Sequence, residues 1–182
     1  GFAAQIPATL ESLGFHWDGE ILFQSRRDDR YAECLASLTS QNLVYACACS
    51  RREIADSAVT GIDGPVYPGT CRHLALAAKG NAVRVRVPDG ITAYADRVQG
   101  DQSQDLGRDI GDFVLRRRDG LFAYQLAVVI DDADQGVTLV DAGIDAPGSI
   151  EAGLLIGEIC LGGLGRVRLR TGLQAGWPTW LE

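Results

Sequence analysis

With 182 residues, 46% of them hydrophobic, the chain can bury a genuine core as one domain, or as a larger domain carrying a small insert. It has no run of about 18 apolar residues and no basic-then-apolar leader, so neither a membrane span nor export is expected, and a soluble cytoplasmic protein is. A net charge of −7 argues against a broad basic surface that coats nucleic acid, while leaving room for local clusters at Arg26, Arg27 and Arg30, at Arg51 and Arg52, and at Arg116, Arg117 and Arg118.

Residues 28–41 read as an amphipathic helix opened by Asp28 or Asp29, with Tyr31, Cys34, Leu35 and Leu38 on one face. Cys34 therefore belongs to a core. Leu43 to Ala48 is short and apolar, a strand that delivers Cys47 and Cys49 into a turn, and Ser50 with Glu53 three positions later is a capping-box pattern that starts a short helix.

The window 47–73, CACSRREIADSAVTGIDGPVYPGTCRH, holds three of the chain's five cysteines and one of its two histidines. An odd number of cysteines without an export signal favours reduced thiols over a disulfide framework, and thiolates gathered by a strand end and a loop suit a tetrahedral zinc site. Cys47, Cys49 and Cys71 supply three ligands. Spacing leaves the fourth open between His73, the more ordinary type, and Tyr67, an unusual phenolate. Gly61 to Gly69, with three glycines and two prolines, is a loop that orders itself poorly, so a metal would take the place of a core there.

Further on, Val83, Val85 and Val87 alternate with Arg84 and Arg86 as a half-buried strand closed by Pro88, Asp89 and Gly90. In the block DFVLRRRDGLFAYQLAVVIDDADQGVT, residues 112–138, Asp119-Gly120 signals a turn. Leu121 to Ile130 reads as an all-apolar strand with both faces covered, as in the parallel sheet of an α/β nucleotide-binding domain. That places Asp131 and Asp132 at a strand's carboxyl end, near a ligand crevice. Residues 146–182 are glycine-rich up to Gly165, with a possible helix over Ser149 to Leu161 and a weak strand carrying Arg166, Arg168 and Arg170. Gly162, Gly163 and Gly165 lack an adjoining strand or lysine, so they read as linker and not as a phosphate loop.

Several stretches in order, FHWDGEILFQSRRDDRYAECL, YACACSRREI, GPVYPGTCR and DFVLRRRDGLFAYQLAVVIDDADQGVT, resemble the glutamyl-queuosine tRNA(Asp) synthetases, short relatives of glutamyl-tRNA synthetase, over roughly residues 9–145. The resemblance implies an α/β fold: part of a class I synthetase Rossmann-type nucleotide-binding domain with a small zinc-binding insert. It divides the chain into a helical part of the catalytic domain (1–46), the zinc insert with connecting strands (47–111), second-half Rossmann strands (112–145) and a divergent tail (146–182). It implies one structural zinc on Cys47, Cys49, Tyr67 and Cys71, with Tyr67 favoured by the Y-x-G-x-C context of Tyr67, Gly69 and Cys71. It places Tyr124 against the glutamate substrate. The implied partners are L-glutamate, ATP with Mg²⁺ and tRNA(Asp), and the implied reaction is glutamylation of queuosine through a glutamyl-adenylate by a monomeric ligase.

The departures are specific. The family's His-containing ATP motif and the acidic stretch after it have no counterpart, the only histidines being His16 and His73. Ala142 stands where the family's V-T-x-x-x-R-G-x-D pattern has its carboxylate-binding arginine, although Val137, Thr138, Gly143 and Asp145 keep their places, and Lys79 is the sole lysine where the family's phosphate loop needs two. The expectation is a piece of such a synthetase that forms no adenylate alone, leaving Leu126 to Ile130 short of cover. A glutamyl-tRNA synthetase fragment and a non-catalytic zinc-bearing RNA-binding module are the alternatives.

Overall fold

The computed structural model describes residues 2–57, 60–61, 64–96, 100–137, 139–142 and 168–171. The chain opens with helix α1 (Phe2–Ser12), passes through a single 3₁₀ turn (Gln24–Arg26) and enters α2 (Asp28–Ser40). Asp28 and Asp29 sit in the first turn of α2, where the helix dipole favours negative charge. Its buried face is Tyr31, Cys34, Leu35 and Leu38, the face read from spacing. Asn42 closes it in the left-handed region at φ 58, and the Leu43 N–H reaches back to the Leu38 carbonyl, the C-terminal motif that satisfies orphan carbonyls.

The chain then runs directly into β1 (Val44–Cys47). A three-stranded antiparallel sheet follows in the order β1, β4 (Ala82–Val85), β7 (Val114–Arg116), with Val44 opposite Val85 and Cys47 opposite Ala82. Between β1 and β4 lie α3 (Arg51–Ser57) and a minimal ladder of β2 (Thr60–Gly61) with β3 (Gly64–Pro65), so part of the presumed loop is ordered. After β4 come an antiparallel ribbon, β5 (Thr92–Asp96) with β6 (Gly100–Gln104), and the short α4 (Leu106–Asp109) capped by the Asp105 side chain. α5 (Tyr124–Asp134) follows β7, and β8 (Leu139–Ala142) pairs in parallel with β9 (Arg168–Thr171), the weak strand of the tail. The 149–161 helix and Gly162 to Gly165 lie outside the described residues.

Two expectations are corrected. Leu121 to Ile130 is no strand: from Tyr124 onward it is α5, and Leu126, Ala127, Val129 and Ile130 bury one helical face against α2 and the sheet. Its apolar positions are covered, with Leu126 and Ile130 at 0% exposure, so the shortage of cover does not arise. Asp131 and Asp132 accordingly lie within a helix and not at a strand's carboxyl end. Nor is β4 half-buried. Val83 and Val85 face the helices, but Arg84 on the opposite face is itself only 8% exposed, because Tyr67 covers it. The sheet therefore has helices on one side and the cysteine loop on the other. Among the described residues its ladders are antiparallel, and parallel ladders join β9 to β8 and β5, beside one isolated parallel bridge between Tyr67 and Gly111.

α2 and α5 are joined by charge as well as by apolar contact. Buried Asp131 accepts from the Tyr31 hydroxyl at 2.8 Å, Arg27 Nε at 2.7 Å and Gln24 Nε2 at 2.9 Å. Arg30 makes a two-pronged contact with Asp134, which Arg27 also reaches. Burial, with the Asp131 carboxylate alongside, pushes the Tyr31 hydroxyl up to about 12. Truncating the acceptor orphans these donors: Asp131→Ala should lower stability by about 2–3 kcal/mol, and Tyr31→Phe by about 1 kcal/mol, each read as a lower urea midpoint at unchanged slope.

Hydrogen bonds from Arg30 and then Arg27 hold the Asp134 carboxyl down at about 2. A carboxylate depressed on folding contributes stability above its unfolded value near ~4 and loses that contribution as pH falls through the folded value. Acid destabilisation should therefore include a step between pH ~4 and ~2. For this partly exposed pair it is about 1 kcal/mol after solvent screening, and Asp134→Asn should remove it from the pH profile of the melting temperature.

Candidate metal centre

β1 alternates across the sheet, so Val44 joins the helical core while Tyr45 and Cys47 turn to the opposite face. Cys47 is wholly buried there. Two residues on, Cys49 leaves the strand end, and the chain at once starts α3 through the expected capping box: Ser50 Oγ accepts from the Glu53 N–H and Glu53 Oε2 accepts from the Ser50 N–H. Tyr67 is delivered by an isolated parallel bridge to Gly111. Gly111 has φ 73, and a Cβ there would meet Val66 Cγ1 at 2.8 Å and the Tyr67 backbone at 3.2 Å, so only glycine lets the two segments approach this closely. The turn at Gly69, whose carbonyl accepts from the Arg72 N–H, then brings Cys71 back toward Tyr67.

The four side chains converge. The sulfurs of Cys47, Cys49 and Cys71 all lie within 4.8 Å of one another. Tyr67 Oη is 3.4 Å from Cys47 Sγ and 3.7 Å from Cys49 Sγ, and Cys49 Sγ is 3.5 Å from Cys71 Sγ. Those separations are far beyond a disulfide bond of ~2.05 Å. They approach the ~3.8 Å between sulfurs on a tetrahedral ion whose bonds are ~2.3 Å, so the donor set fits zinc and can hold a metal. His73 is exposed and stands outside the cluster, lining a groove of about 800 Å³ with Arg72, Leu74 and Leu76 instead.

The electrostatics suit a thiol-rich cation site. Burial works against ionisation of Cys71, but hydrogen bonds from Tyr67 and from the backbone at Ala48 outweigh it and bring the thiol down to about 7. Cys49 is pushed up to about 11 by burial, and Tyr67 is pushed above its ordinary range by the same cause. One donor is thus ready to ionise near neutrality. Cys49 and Tyr67 need a nearby positive charge to do so.

Sequence reading did not single out the residues that hold this loop to the sheet. Asp112, 3% exposed, accepts from the Tyr45 hydroxyl at 2.6 Å, the Val87 N–H at 2.8 Å and Arg72 Nη1 at 3.3 Å, and its own carbonyl accepts from Arg84 at 2.7 Å. The Arg84 guanidinium lies 4.0 Å from the centre of the Tyr67 ring. The signal available was a lone aspartate after Gly111, which is weak. Tyr124 begins α5 and is 63% exposed, and its side chain makes no hydrogen bond among the described residues. Asp131 is bound into the α2 network, and burial followed by the Asp131 charge pushes the Asp132 carboxyl up. Ala142 ends β8.

Residues 1–145 match the family model "tRNA synthetases class I (E and Q), catalytic domain", and residues 120–181 match a second, "Cyclohydrolase (MCH)", which runs largely through residues outside those described. The chain is 53% identical to the Glutamyl-Q tRNA(Asp) synthetase of Chromobacterium violaceum over 146 residues, covering 80% of this chain and 49% of that protein. It is 52% identical to the same-named protein of Dechloromonas aromatica over 165 residues, covering 89% of this chain and 54% of that one. The chain thus spans about half the length of the curated relatives it matches. In fold it is similar to a glutamate tRNA ligase from Elizabethkingia meningosepticum crystallised with its amino acid, at a TM-score of 0.72 and 20% identity, over 91% of this chain and 38% of that one. With 145 of its 182 residues under that first family model, the chain belongs to the class I tRNA synthetases of the glutamyl and glutaminyl group, within their catalytic domain.

Proposed function

We propose that this chain is the zinc-bearing part of a glutamyl-queuosine tRNA(Asp) synthetase. The observation that carries the reading is the identity of about half the residues, across four-fifths of the chain, to proteins of that name. It is supported by the convergence of the four donors the resemblance implied.

In the whole enzyme the glutamate carboxylate attacks the α-phosphate of ATP, pyrophosphate leaves, and the hydroxyl on the queuosine ring then attacks the mixed anhydride and releases AMP. Such chemistry is catalysed by positioning and by fixed charges around the phosphates, with Mg²⁺. This chain's contribution is positional. Cys47, Cys49, Cys71 and Tyr67 would hold a structural zinc, which when bound supplies a rigid cross-link between the end of β1 and the loop 67–71. Tyr124, open to solvent at the first turn of α5, is the residue proposed to contact the glutamate substrate. Charge around the phosphates is what the chain supplies least. Lys79 is its one lysine, and Ala142 offers no cation to a carboxylate. Each missing charged contact costs about 2–4 kcal/mol of transition-state stabilisation.

The purified chain should therefore show no glutamate-dependent ATP–pyrophosphate exchange, and measurable exchange would overturn the positional reading. In the full-length protein, transfer of labelled glutamate to queuosine-containing tRNA(Asp), and none to the acceptor end of tRNA(Glu), is the expected specificity.

Elemental analysis should return about one zinc per chain, and chelation should lower the melting temperature because the bound ion stabilises only the folded state. Tyr67→Phe should weaken zinc retention in a chelator competition by about tenfold or more. His73→Ala should leave it unchanged. The reverse pattern would move the fourth ligand to His73.

A further inference from the structure

Two turns meet at one end of the β4–β7 pair. The turn at Ala78 to Asn81 precedes β4, and the turn at Arg117 to Gly120 follows β7. Between them is a shallow recess of about 420 Å³ lined by Ala78, Lys79, Gly80, Asn81, Gly120 and the three consecutive arginines 116–118. Four of these eight lining residues are cationic and none is acidic, in a chain whose net charge is −7.

The three arginines are held in place. Arg116 Nη2 donates to the Ala78 carbonyl at 3.2 Å, tying one turn to the other. Arg118 donates to the carbonyl of Ala48, the residue between two of the clustered cysteines. Arg117 pairs with Asp119 at 2.6 Å across a contact that is half exposed, and Lys79 makes no ion pair among the described residues. Each guanidinium spends only part of its fork internally, so donors remain for an anion. At the tips, Gly80 and Gly120 have no heavy atom within 4 Å of where a Cβ would stand, so a ligand can approach the backbone itself.

Among the described residues no aromatic or large apolar side chain lines the recess, so they offer nothing on which to stack a base or hold an adenine. What it offers is fixed positive charge along an open edge, the chemistry that reads a sugar-phosphate backbone without reading sequence. We infer that the edge formed by Lys79 and Arg116 to Arg118 docks the phosphodiester backbone of the RNA substrate. This rests on the synthetase reading for the identity of the RNA and adds where the RNA lies against this chain. Contacts of this kind are paid in released counterions, each steepening the salt dependence by about 0.7–0.9 in log–log slope.

The test is a salt titration of tRNA binding to the chain, with Lys79→Gln/Arg117→Gln as the main variant, since both side chains are exposed and neither joins the two turns. The expected result is a slope shallower by about 1.5, equal for tRNA with and without queuosine, at unchanged melting temperature. Arg26→Gln, an exposed cation outside the recess, should change the slope by clearly less. An unchanged slope in the double variant overturns the inference, as does a loss equalled by Arg26→Gln. Displacement of the tRNA by millimolar ATP beyond the effect of its ionic strength would assign the recess to a nucleotide polyphosphate and overturn it equally. In the full-length protein, failure to glutamylate queuosine-tRNA sinks the synthetase reading by itself, whereas intact glutamylation with an unchanged slope sinks only this surface.

Discussion

The buried carboxylate of Asp112 is the constraint on which both sides of the molecule depend. A carboxyl group at 3% exposure is tolerable only when its oxygens are supplied with donors, and here three donors from three segments supply them: Tyr45 on β1, the Val87 backbone just past β4, and Arg72 just past Cys71. Because the same residue's carbonyl accepts from Arg84, the strand register of β4 and the position of the loop 67–72 are set by one side chain and its own peptide group. Burial and this carboxylate drive the Tyr45 hydroxyl above its ordinary range, which favours its role as the donor of the pair.

The two faces of the sheet are held by different physics. On the helical side, Leu38, Val85, Leu115, Leu126 and Ile130 are essentially excluded from water, and hydrophobic burial needs only the ion network of Arg27, Arg30, Asp131 and Asp134 to fix how α2 lies against α5. On the opposite side the buried set is Tyr45, Cys47, Tyr67 and Cys71, with Cys49 and Ile54 beside it. That is two phenols, three thiols and a single aliphatic side chain. Their apolar area is small against the entropy of ordering a segment that carries Gly61, Gly64 and Gly69.

Much of this was legible. The core face of α2, the strand into Cys47, the capping box at Ser50 and the Asp119-Gly120 turn all follow from spacing, and all are present. α5 was misread because Leu121 to Ile130 is apolar nearly throughout, and a continuous apolar run carries no period that separates a strand from a buried helix. The deciding signal lay downstream, in Gly136. At φ 70 it closes α5 while Val137 N–H bonds the Asp132 carbonyl, the same ending that Asn42 gives α2, and a strand would have no use for it. Arg84 was misplaced for a different reason. Alternation shows that one face of a strand is apolar, but not whether another segment covers the polar face, and that cover comes from Tyr67, distant in sequence. The three thiols were visible as a set, yet the choice of Tyr67 over His73 came from the resemblance, since spacing alone favours neither.

The cluster and the sheet therefore stabilise each other through cation and ring. Arg84 cannot leave the interior without exposing the face of Tyr67, and Tyr67 cannot swing away without stranding a guanidinium whose Nε already lacks a partner among the described residues. Arg86 repeats the arrangement one step along, 4.8 Å from the centre of the Tyr45 ring and donating to the Arg72 carbonyl. Arg84 lies on β4, Arg86 directly follows it, and both rings belong to the buried cluster that contains the thiols. An ion bound among the sulfurs would thus be felt at β4 through two stacked cations, even though no cysteine lies on that strand. Such coupling makes the loop's order and the sheet's register a single property, which neither the apolar pattern nor the cysteine spacing states separately.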